Sequence, residues 1–214
     1  AQWSEKAADR SFLVQRTPEG GWRHLTYGEA FSRVRSLGQA LLDLGLSADK
    51  PLAVLSDNSI EHALLALAAM HVGIPVAPIS VPFSLLSRDH ARLKYVIDLL
   101  QPGLVFVQNE EPFAKAIAAA VKPGTPILAV NRAKAETLLF TTLMSTQPSA
   151  DVDRAAAAVT GDTIAKILFT SGSSSMPKGA LNSHRMLCAN QQMGTQVWPF
   201  LQKTPPVIVD WLPW

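Results

Sequence analysis

Short apolar runs alternate with helix-forming segments along most of this 214-residue chain. An apolar run of a few residues is typical of a strand buried on both faces, and an amphipathic or alanine-rich segment is typical of the helix that follows it. Right-handed crossovers join such strands into a largely parallel sheet. The sequence therefore predicts an α/β fold, with a largely parallel sheet covered by helices on both faces. The predicted strands are LAVLS, IPVAPI, LVFV, PILAV, TIAKILFT and the closing PPVIVDWLP.

Capping signals set the ends of the clearest predicted helices. Thr26 and Glu29 have capping-box spacing at the start of a long helical pattern. Ser59 opens a second helix, which runs to about residue 71 and is closed by Gly73. Two prolines in IPVAPI place that strand near a sheet edge or at a bulge. Further helices are predicted over residues 87–100, EPFAKAIAAAV, 136–144 and 183 to about 196, and QPSADVDRAAAAV is either a linker or a surface helix.

The composition is that of a folded domain. With 48% hydrophobic and 17% charged residues, the chain can bury a core and is not disordered. Its 19 basic and 17 acidic residues form no basic stripe, which argues against nucleic acid or an anionic membrane as a partner. Residues 63–70, the longest apolar run, are too few to span a bilayer, and the first ten residues have no signal-peptide core. Together with the single cysteine, Cys188, these features predict a cytoplasmic protein.

Both ends of the chain look cut. It begins with Ala1 in place of methionine and stops on the apolar WLPW. A terminus with two tryptophans would leave apolar surface that nothing covers. We therefore expect the chain to be a fragment of a longer protein.

One loop carries chemistry that the rest of the chain lacks. The strand ILFT is followed by SGSSSMPKGA and then by a predicted helix. Glycines let a backbone approach a ligand closely, hydroxyls and free backbone N–H groups donate hydrogen bonds, and a lysine adds positive charge. The next helix would also direct its positive dipole end at the loop, so the whole arrangement suits a polyphosphate. The candidate binding residues are Thr170, Ser171, Gly172, Ser173, Ser174, Ser175, Lys178 and Gly179.

Other common motifs do not match this loop. Counted from Gly172, the P-loop pattern G-x-x-x-x-G-K-[ST] meets proline at its second glycine and glycine at its Mg²⁺-binding hydroxyl. The hydrolase motif G-x-S-x-G is absent. His184 and Cys188 are four residues apart, but two ligands rarely form a metal site, so none is predicted. By composition alone the loop could be a solvated turn; its place between a strand and a helix favours binding.

The spacing of FTSGSSSMPKGA resembles the phosphate loop [ST]-S-G-[ST]-[ST]-G-x-P-K-G of the adenylate-forming enzymes, which include acyl- and aryl-CoA synthetases, firefly luciferase and peptide-synthetase adenylation domains. Ser175 departs from the family's usual glycine. HLTYGEAFSRVRSLGQALLDLGL and DKPLAVLSDNSIEHALLALAAMHVGIPVAPIS also resemble the family, and WLPW resembles the start of its L-P-x-x-H segment. With DWLPW and QNEEPFAKAI, the chain looks most similar to feruloyl-CoA synthetases, which act on hydroxycinnamic acids.

The resemblance implies an enzyme that activates a carboxylic acid with MgATP to an acyl-adenylate and then passes the acyl group to CoA. The loop would hold the phosphates, Lys178 would stabilise their charge, and Trp214 would belong to the wall of the acyl pocket. The resemblance also implies a first α/β subdomain over residues 1–160 and the start of a second, with the phosphate loop, over 161–214. The adenine, ribose and Mg²⁺ sites would lie beyond the fragment, which we expect to be inactive alone. Family relatives suggest a homodimer.

Two alternatives stay open. An acyl-AMP ligase would load a carrier protein in place of CoA. A non-catalytic module would bind nucleotide or pyrophosphate by recognition alone, and exposed apolar surface would count against that reading.

Overall fold

The computed structural model describes residues 1–170, 176–203, 206–210 and 212. Its strands are β1 (Ser11–Arg16), β2 (Trp22–Thr26), β3 (Leu52–Val54), β4 (Val76–Pro78), β5 (Leu104–Asn109), β6 (Ile127–Asn131), β7 (Leu138–Leu139), β8 (Ile164–Thr170) and β9 (Lys178–Ser183). Its helices are α1 (Gln2–Lys6), α2 (Tyr27–Asp43), α3 (Ile60–His71), α4 (Pro82–Leu85), α5 (Ala91–Leu100), α6 (Glu110–Ala120), α7 (Phe140–Met144), α8 (Ala150–Ala158), α9 (His184–Val197) and α10 (Phe200–Lys203).

Seven of these strands form one sheet, in the order β7-β6-β5-β3-β4-β8-β9. Its neighbouring strands are parallel except for β8 and β9, which pair antiparallel. The strands β1 and β2 form a separate antiparallel hairpin, which the sequence did not predict. The expected α/β fold with a largely parallel sheet is confirmed.

The central strands of the sheet are buried on both faces. Along β3, Leu52 and Val54 join a core cluster that includes residues of α2 and α3. Ala53 points the other way, into a second cluster that includes residues of α5 and α6. Side chains of successive strand residues alternate between faces, so one strand supplies both clusters. Burial of each large aliphatic side chain contributes about 1.5–3 kcal/mol, and this burial fixes the sheet between its two helical layers.

Local capping sets the helix ends where the sequence predicted it. The Thr26 hydroxyl accepts a hydrogen bond from the Glu29 N–H, and the Glu29 carboxylate accepts one from the Thr26 N–H, which completes the capping box of α2. Ser59 caps α3 by accepting from the His62 N–H at 3.0 Å. Gly73 follows α3 with a φ of +75°, a left-handed conformation that favours glycine.

Several predicted elements differ from the structure. The helix predicted over 87–100 begins only at Ala91, because His90 adopts a φ of +53° that cannot continue a helix. Residues 136–144 divide between β7 and α7, and QPSADVDRAAAAV contains α8. Residues 206–210, the described part of the predicted closing strand, do not form a strand and pair with none of the strands described.

The prediction that IPVAPI lies near a sheet edge is wrong, since β4 lies between β3 and β8. Proline has no backbone N–H, so the prolines of this strand must lie where the sheet does not require a backbone donor. Pro75 precedes the strand and uses its carbonyl, which accepts from the Leu52 N–H at 3.0 Å. The ladder from β4 to β8 is confined to one registered pair, Val76 with Lys166.

The strand β8 bonds to β4, so one sheet continues across residue 160, where we predicted a boundary between subdomains. The division into 1–160 and 161–214 stays a prediction. Among the described residues, no helix has the length and apolar character that a membrane crossing requires.

Candidate functional site

The predicted phosphate loop joins the antiparallel strands β8 and β9. The last registered pair before the loop is Thr170 with Lys178. The Thr170 hydroxyl donates to the Lys178 carbonyl at 3.4 Å, and both residues are exposed. The structure therefore brings these two predicted site residues together at the mouth of the loop. The other predicted residues Ser171, Gly172, Ser173, Ser174, Ser175 and Trp214 lie outside the described residues.

Thr170, where the chain enters this loop, lies at the carboxyl edge of the parallel part of the sheet. The parallel pairing of β3, β4 and β8 makes their carboxyl ends point to the same edge, and β8 ends at Thr170. Open α/β sheets bind ligands at this edge, beyond the ends of the strands. The position of Thr170 and Lys178 thus agrees with a ligand-binding role.

The prediction that the following helix directs its dipole at the loop is wrong. Strand β9 separates the loop from α9 by six residues, which span about 20 Å when extended. The first N–H groups of α9 bond back to residues that precede β8: His184 donates to the Thr163 carbonyl at 3.0 Å and Arg185 to the Gly161 carbonyl at 2.7 Å. The N-terminus of α9 therefore lies at the opposite edge, and the positive charge at the loop comes from Lys178.

Gly179 gives space to neighbouring side chains. A Cβ built on Gly179 would lie 3.2 Å from Ile167 Cγ2 and 3.4 Å from Phe169 Cε1. The same face of the hairpin carries both neighbours, which pack against the core cluster of α5 and α6. The missing side chain therefore has a packing reason, and its predicted role in ligand binding stays a prediction.

A polar network at the ends of β3 and β5 was not predicted. In the sheet, β3 has β4 on one side and β5 on the other, so the strand order reverses direction at β3. Such a reversal is the switch point at which open α/β sheets bind ligands. The Ser59 hydroxyl donates to the Gln108 Oε1 at 2.9 Å, and the Gln108 amide donates to the Glu61 carboxylate at 3.3 Å. Arg23 donates to both carboxylate oxygens of Glu61, at 2.7 and 3.0 Å.

Glu61 is ionised within this network. Burial, the largest influence, raises the pKa of its carboxyl, yet hydrogen bonds from Arg23, its own backbone and Gln108 together hold the pKa below the ordinary value. An internal carboxylate therefore occupies the first turn of α3, where an exogenous anion would otherwise be favoured. The polar segments SDNS, after LAVL, and QNE, after LVFV, could have indicated this network. Each follows a strand, and the two parallel strands end at the same edge of the sheet.

Two further titratable groups lie between α3 and β8. His62 is 2% exposed, and its Nδ1 lies 3.4 Å from the Asp57 carbonyl oxygen. Burial lowers the pKa of His62 to about 4, the Asp57 carbonyl opposes this change, and the charge of Lys166 adds to it. Burial also lowers the pKa of the Lys166 ammonium. His62 is therefore neutral at physiological pH.

A segment near the end of the chain returns to the same edge of the sheet. Asn58, which follows β3, donates from Nδ2 to the Leu212 carbonyl oxygen at 2.5 Å. The apolar side chains of Val207, Ile208 and Val209 are 94%, 78% and 88% exposed. The Leu212 carbonyl therefore lies beside Asn58, just after the end of β3, whereas the side chains of residues 207–209 face solvent.

Metal ligands are sparse in the part of the chain that the structure describes. No group of three or more His, Cys, Asp or Glu side chains there could hold a metal ion.

Comparison with known proteins gives a consistent result. The family model for AMP-binding enzymes matches residues 1–213. A 4-hydroxybenzoate–CoA/benzoate–CoA ligase of Rhodopseudomonas palustris is 30% identical over 164 residues, which are 76% of this chain and 29% of the relative. A 4-hydroxyphenylalkanoate adenylyltransferase of Mycobacterium marinum is 26% identical over 218 residues, covering 99% of this chain and 32% of the relative. The chain spans less than a third of the length of either relative.

The fold agrees with that of a solved structure. A benzoate CoA ligase from Burkholderia xenovorans LB400 superposes with a TM-score of 0.69 at 20% identity, over 92% of this chain and 35% of that chain. At this identity the likeness shows the fold alone.

Proposed function

The chain belongs to the family of AMP-binding enzymes, and we propose that it is the N-terminal part of an ATP-dependent, AMP-forming carboxylate–CoA ligase. The observation that carries the proposal is the hairpin loop at the carboxyl edge of the sheet, with Thr170 and Lys178 paired at its mouth. A hydroxyl, a lysine and a glycine- and serine-rich turn at such an edge suit a polyphosphate.

The proposed chemistry has two balanced steps. A carboxylate oxygen of the acid attacks the α-phosphorus of ATP, an O–P bond forms, and the bond from that phosphorus to the β-phosphate bridge breaks to release pyrophosphate. A thiolate of CoA then attacks the acyl carbon, a C–S bond forms, and the C–O bond to AMP breaks. The first step adds negative charge to the departing pyrophosphate.

Lys178 and the loop donors would act on that departing charge. Preorganised donors aimed at developing charge are commonly worth a factor of about 10² to 10³ in rate each. Lys178 is exposed and pairs with Thr170 at the mouth of the loop, and in this proposal its ammonium would contact the bound polyphosphate. Mg²⁺ would supply further charge neutralisation when it is bound to the nucleotide. Among the described residues, Thr170 would contribute a hydroxyl donor and Lys178 an ammonium donor.

We propose a 4-hydroxyaryl acid as the substrate, of the hydroxycinnamic (feruloyl) type. Two relatives that share no more than 30% identity with the chain carry names that refer to 4-hydroxyaryl carboxylates, one a benzoate and one a phenylalkanoate. A hydroxycinnamate has the same para-hydroxyl ring with a conjugated three-carbon acid. The sequence likeness of DWLPW and QNEEPFAKAI to feruloyl-CoA synthetases supports the same class.

A second candidate differs in the thiol that accepts the acyl group. The relative that covers 99% of this chain is named an adenylyltransferase, and its name does not mention CoA. An acyl-AMP ligase that loads a carrier protein would use the same first step and the same loop. The non-catalytic module fits less well, because Val207, Ile208 and Val209 expose an apolar strip that an independent module would cover.

Carboxylate-dependent ATP–pyrophosphate exchange in the complete protein tests the proposal. Ferulate, coumarate, benzoate, octanoate and no acid would be compared, and exchange stimulated by the hydroxycinnamates above benzoate and octanoate is expected. Transfer of the acyl group to CoA or to a phosphopantetheinyl carrier protein then separates the two candidates. ATP binding without exchange for any acid would overturn both and favour the binding module.

A further inference from the structure

A cleft lies at the amino edge of the sheet, away from the phosphate loop. Its volume is about 660 Å³, which falls within the roughly 300–1,000 Å³ of small-molecule sites. His184 lines the cleft, and its N–H donates to the carbonyl of Thr163, the residue before β8. Strand β8 has seven residues and ends at Thr170, so about 20 Å separates the cleft from the mouth of the phosphate loop. The cleft is therefore a separate candidate site.

Aromatic side chains form one wall of the cleft. The ring centroid of Tyr27 lies 4.9 Å from that of Phe12 and 6.0 Å from that of Trp3, in tilted arrangements. These separations are those of stabilising aromatic pairs. Trp3 nevertheless stays 52% exposed, so the wall keeps aromatic surface that a ligand can cover.

Backbone hydrogen bonds hold this aromatic wall in place. The Tyr27 N–H donates to the Arg10 carbonyl at 3.0 Å, and the Gly28 N–H donates to the Ala8 carbonyl at 2.9 Å. These bonds fix the segment that follows α1 against the first turn of α2. The wall is thus formed without any ligand, as is usual for small-molecule sites.

The lining of the cleft favours an uncharged occupant. Helix α3 contributes Leu67, Met70 and His71, and α8 contributes Ala156. Among the described residues, no side chain of Asp, Glu, Lys or Arg lines the cleft. Burial lowers the pKa of His71, so its ring is neutral at physiological pH. A charged ligand would lose its hydration here without gaining a charged side-chain partner.

His184 adds a polar atom that lacks a partner. Its Nε2 is buried and forms no hydrogen bond within the described part of the chain. Buried polar side-chain atoms in folded proteins are nearly always hydrogen-bonded. A ligand hydroxyl that reached this nitrogen could donate to it or accept from it, according to the tautomer of the ring. The His184 end of the cleft is therefore the place for a polar group.

We propose that this cleft binds an uncharged, planar aromatic molecule that carries one hydroxyl group. Its ring would pack against the wall of Trp3, Phe12 and Tyr27, and its hydroxyl would lie at the His184 end. The cleft is distinct from the phosphate loop, and the inference does not rest on the proposed function.

Methyl NMR of the complete protein, labelled at its methionine methyl groups, tests the site directly. The probe is 2-naphthol, which has two fused aromatic rings and one hydroxyl. Of the five methionines in this chain, Met70 lines the cleft, whereas Met193 lies exposed on α9 and is the internal control. The Met70 signal, assigned with Met70→Leu, should shift on addition of 2-naphthol. An unchanged Met70 signal, or equal shifts of the Met70 and Met193 signals, would overturn the proposal.

Ala156→Phe should block the cleft, because it places a ring in the space that the ligand would take. Calorimetric titration of the complete protein should show the dissociation constant for 2-naphthol raised by at least about tenfold. Ala157→Phe is the matched control, since Ala157 is exposed on the same helix and does not line the cleft. It should bind 2-naphthol as the wild type does. Equal dissociation constants for the two variants would overturn the location of the site.

His184→Phe tests the polar end, because it keeps a ring and removes Nε2. It should raise the dissociation constant for 2-naphthol by about twofold to tenfold and leave that for naphthalene unchanged. Equal effects on the two probes would overturn the role of the hydroxyl. The charged probe 2-naphthalenesulfonate should bind more weakly than 2-naphthol, and equal or tighter binding would overturn the uncharged class of ligand.

Discussion

Arg23 donates two hydrogen bonds to the Glu61 carboxylate, at 2.7 and 3.0 Å, and so joins the β1–β2 hairpin to the first turn of α3. The exposure of the two side chains differs greatly, 47% for Arg23 and 7% for Glu61. Loss of Arg23 leaves a buried carboxylate short of donors, whereas loss of the Glu61 charge leaves a guanidinium that water can reach. Removal of Arg23 should therefore destabilise the fold more than removal of the Glu61 charge.

We predict that Arg23→Ala lowers the free energy of unfolding by about 2–3 kcal/mol and that Glu61→Gln lowers it by less. Urea unfolding followed by circular dichroism at pH 7.5 measures both. Arg33→Ala is the control, because Arg33 forms a surface pair with Glu29 at 3.9 Å and its removal should change stability by no more than about 0.5 kcal/mol. Equal losses for the two members of the buried pair would contradict the asymmetry.

His62 should make the protein sensitive to mild acid. Burial lowers its pKa from 6.5 to about 4 in the folded state, so between these values the unfolded state binds more protons. His62 therefore does not reduce the free energy of unfolding above pH 6.5. As the pH falls from 6.5 towards 4, the free energy of unfolding decreases by up to about 3 kcal/mol on account of this group. Glu61 and Glu110, whose pKa values are lowered from 4.5, add losses only below that pH.

Unfolding free energies at several pH values between 7.5 and 4.5 test this prediction. His62→Gln, which carries no titratable group, should be less stable than the wild type at pH 7.5 because it alters a buried site. Its stability should then fall less between pH 6.5 and 4.5. Parallel pH curves for the two proteins would show that His62 is not the source of the acid sensitivity.

Local patterns predicted those parts of the fold that local chemistry decides. The capping box of Thr26 and Glu29 and the cap of Ser59 are interactions over three residues, and both are present. Apolar runs predicted β3, β5 and β6, whose side chains are largely buried, because a strand covered on both faces needs no polar side chain. The run TIAKILFT likewise predicted β8, which is mostly half-buried or exposed, with Ala165 buried. The fold class follows from the alternation of those elements.

The sequence could not reveal contacts that depend on strand order. The position of β4 depends on which strand lies beside it, and the proline signal for an edge describes only the strand itself. Strand β9, KGALNS, is short and weakly apolar, so its pairing with β8 could be found only in three dimensions. Arg23 and Glu61 are 38 residues apart and Asn58 and Leu212 are 154 apart, distances that no spacing motif covers.

Substitution of Gly179 distinguishes a role in packing from a role in ligand binding. Gly179→Ala would place a Cβ at 3.2 Å from Ile167 Cγ2 and 3.4 Å from Phe169 Cε1, so the Ile167 side chain must move by a few tenths of an ångström. We expect a loss of about 1 kcal/mol in stability without any ligand, and a larger loss for Gly179→Val. Thermal unfolding without nucleotide measures this loss. Gly124→Ala is not a usable control, because Gly124 has a φ of +86° and alanine would be strained there. Gly194→Ala, at a helical position with open space around the Cβ, is the comparison and should raise stability by about 0.5–1 kcal/mol, because alanine is the better helix former. Unchanged stability with lost nucleotide binding would assign Gly179 to the ligand.

Lys178 is the described residue on which the phosphate assignment depends most directly. It pairs with Thr170 at the mouth of the loop, and the helix dipole that could have shared its task lies at the other edge of the sheet. We predict that Lys178→Ala in the complete protein lowers acid-dependent ATP–pyrophosphate exchange by about a hundredfold, because it removes a charged donor from the departing pyrophosphate. Lys178→Arg should retain part of the rate, since it keeps the charge on a differently shaped group.

Lys203→Ala is the control for Lys178, because Lys203 is an exposed lysine at the end of α10. It should exchange pyrophosphate at the wild-type rate. Thermal midpoints of all the variants should agree closely, since Lys178 is exposed and makes no salt bridge among the described residues. A Lys178→Ala protein that exchanges as fast as Lys203→Ala would remove Lys178 from the site, and the phosphates would then depend on the hydroxyl and backbone donors of the loop.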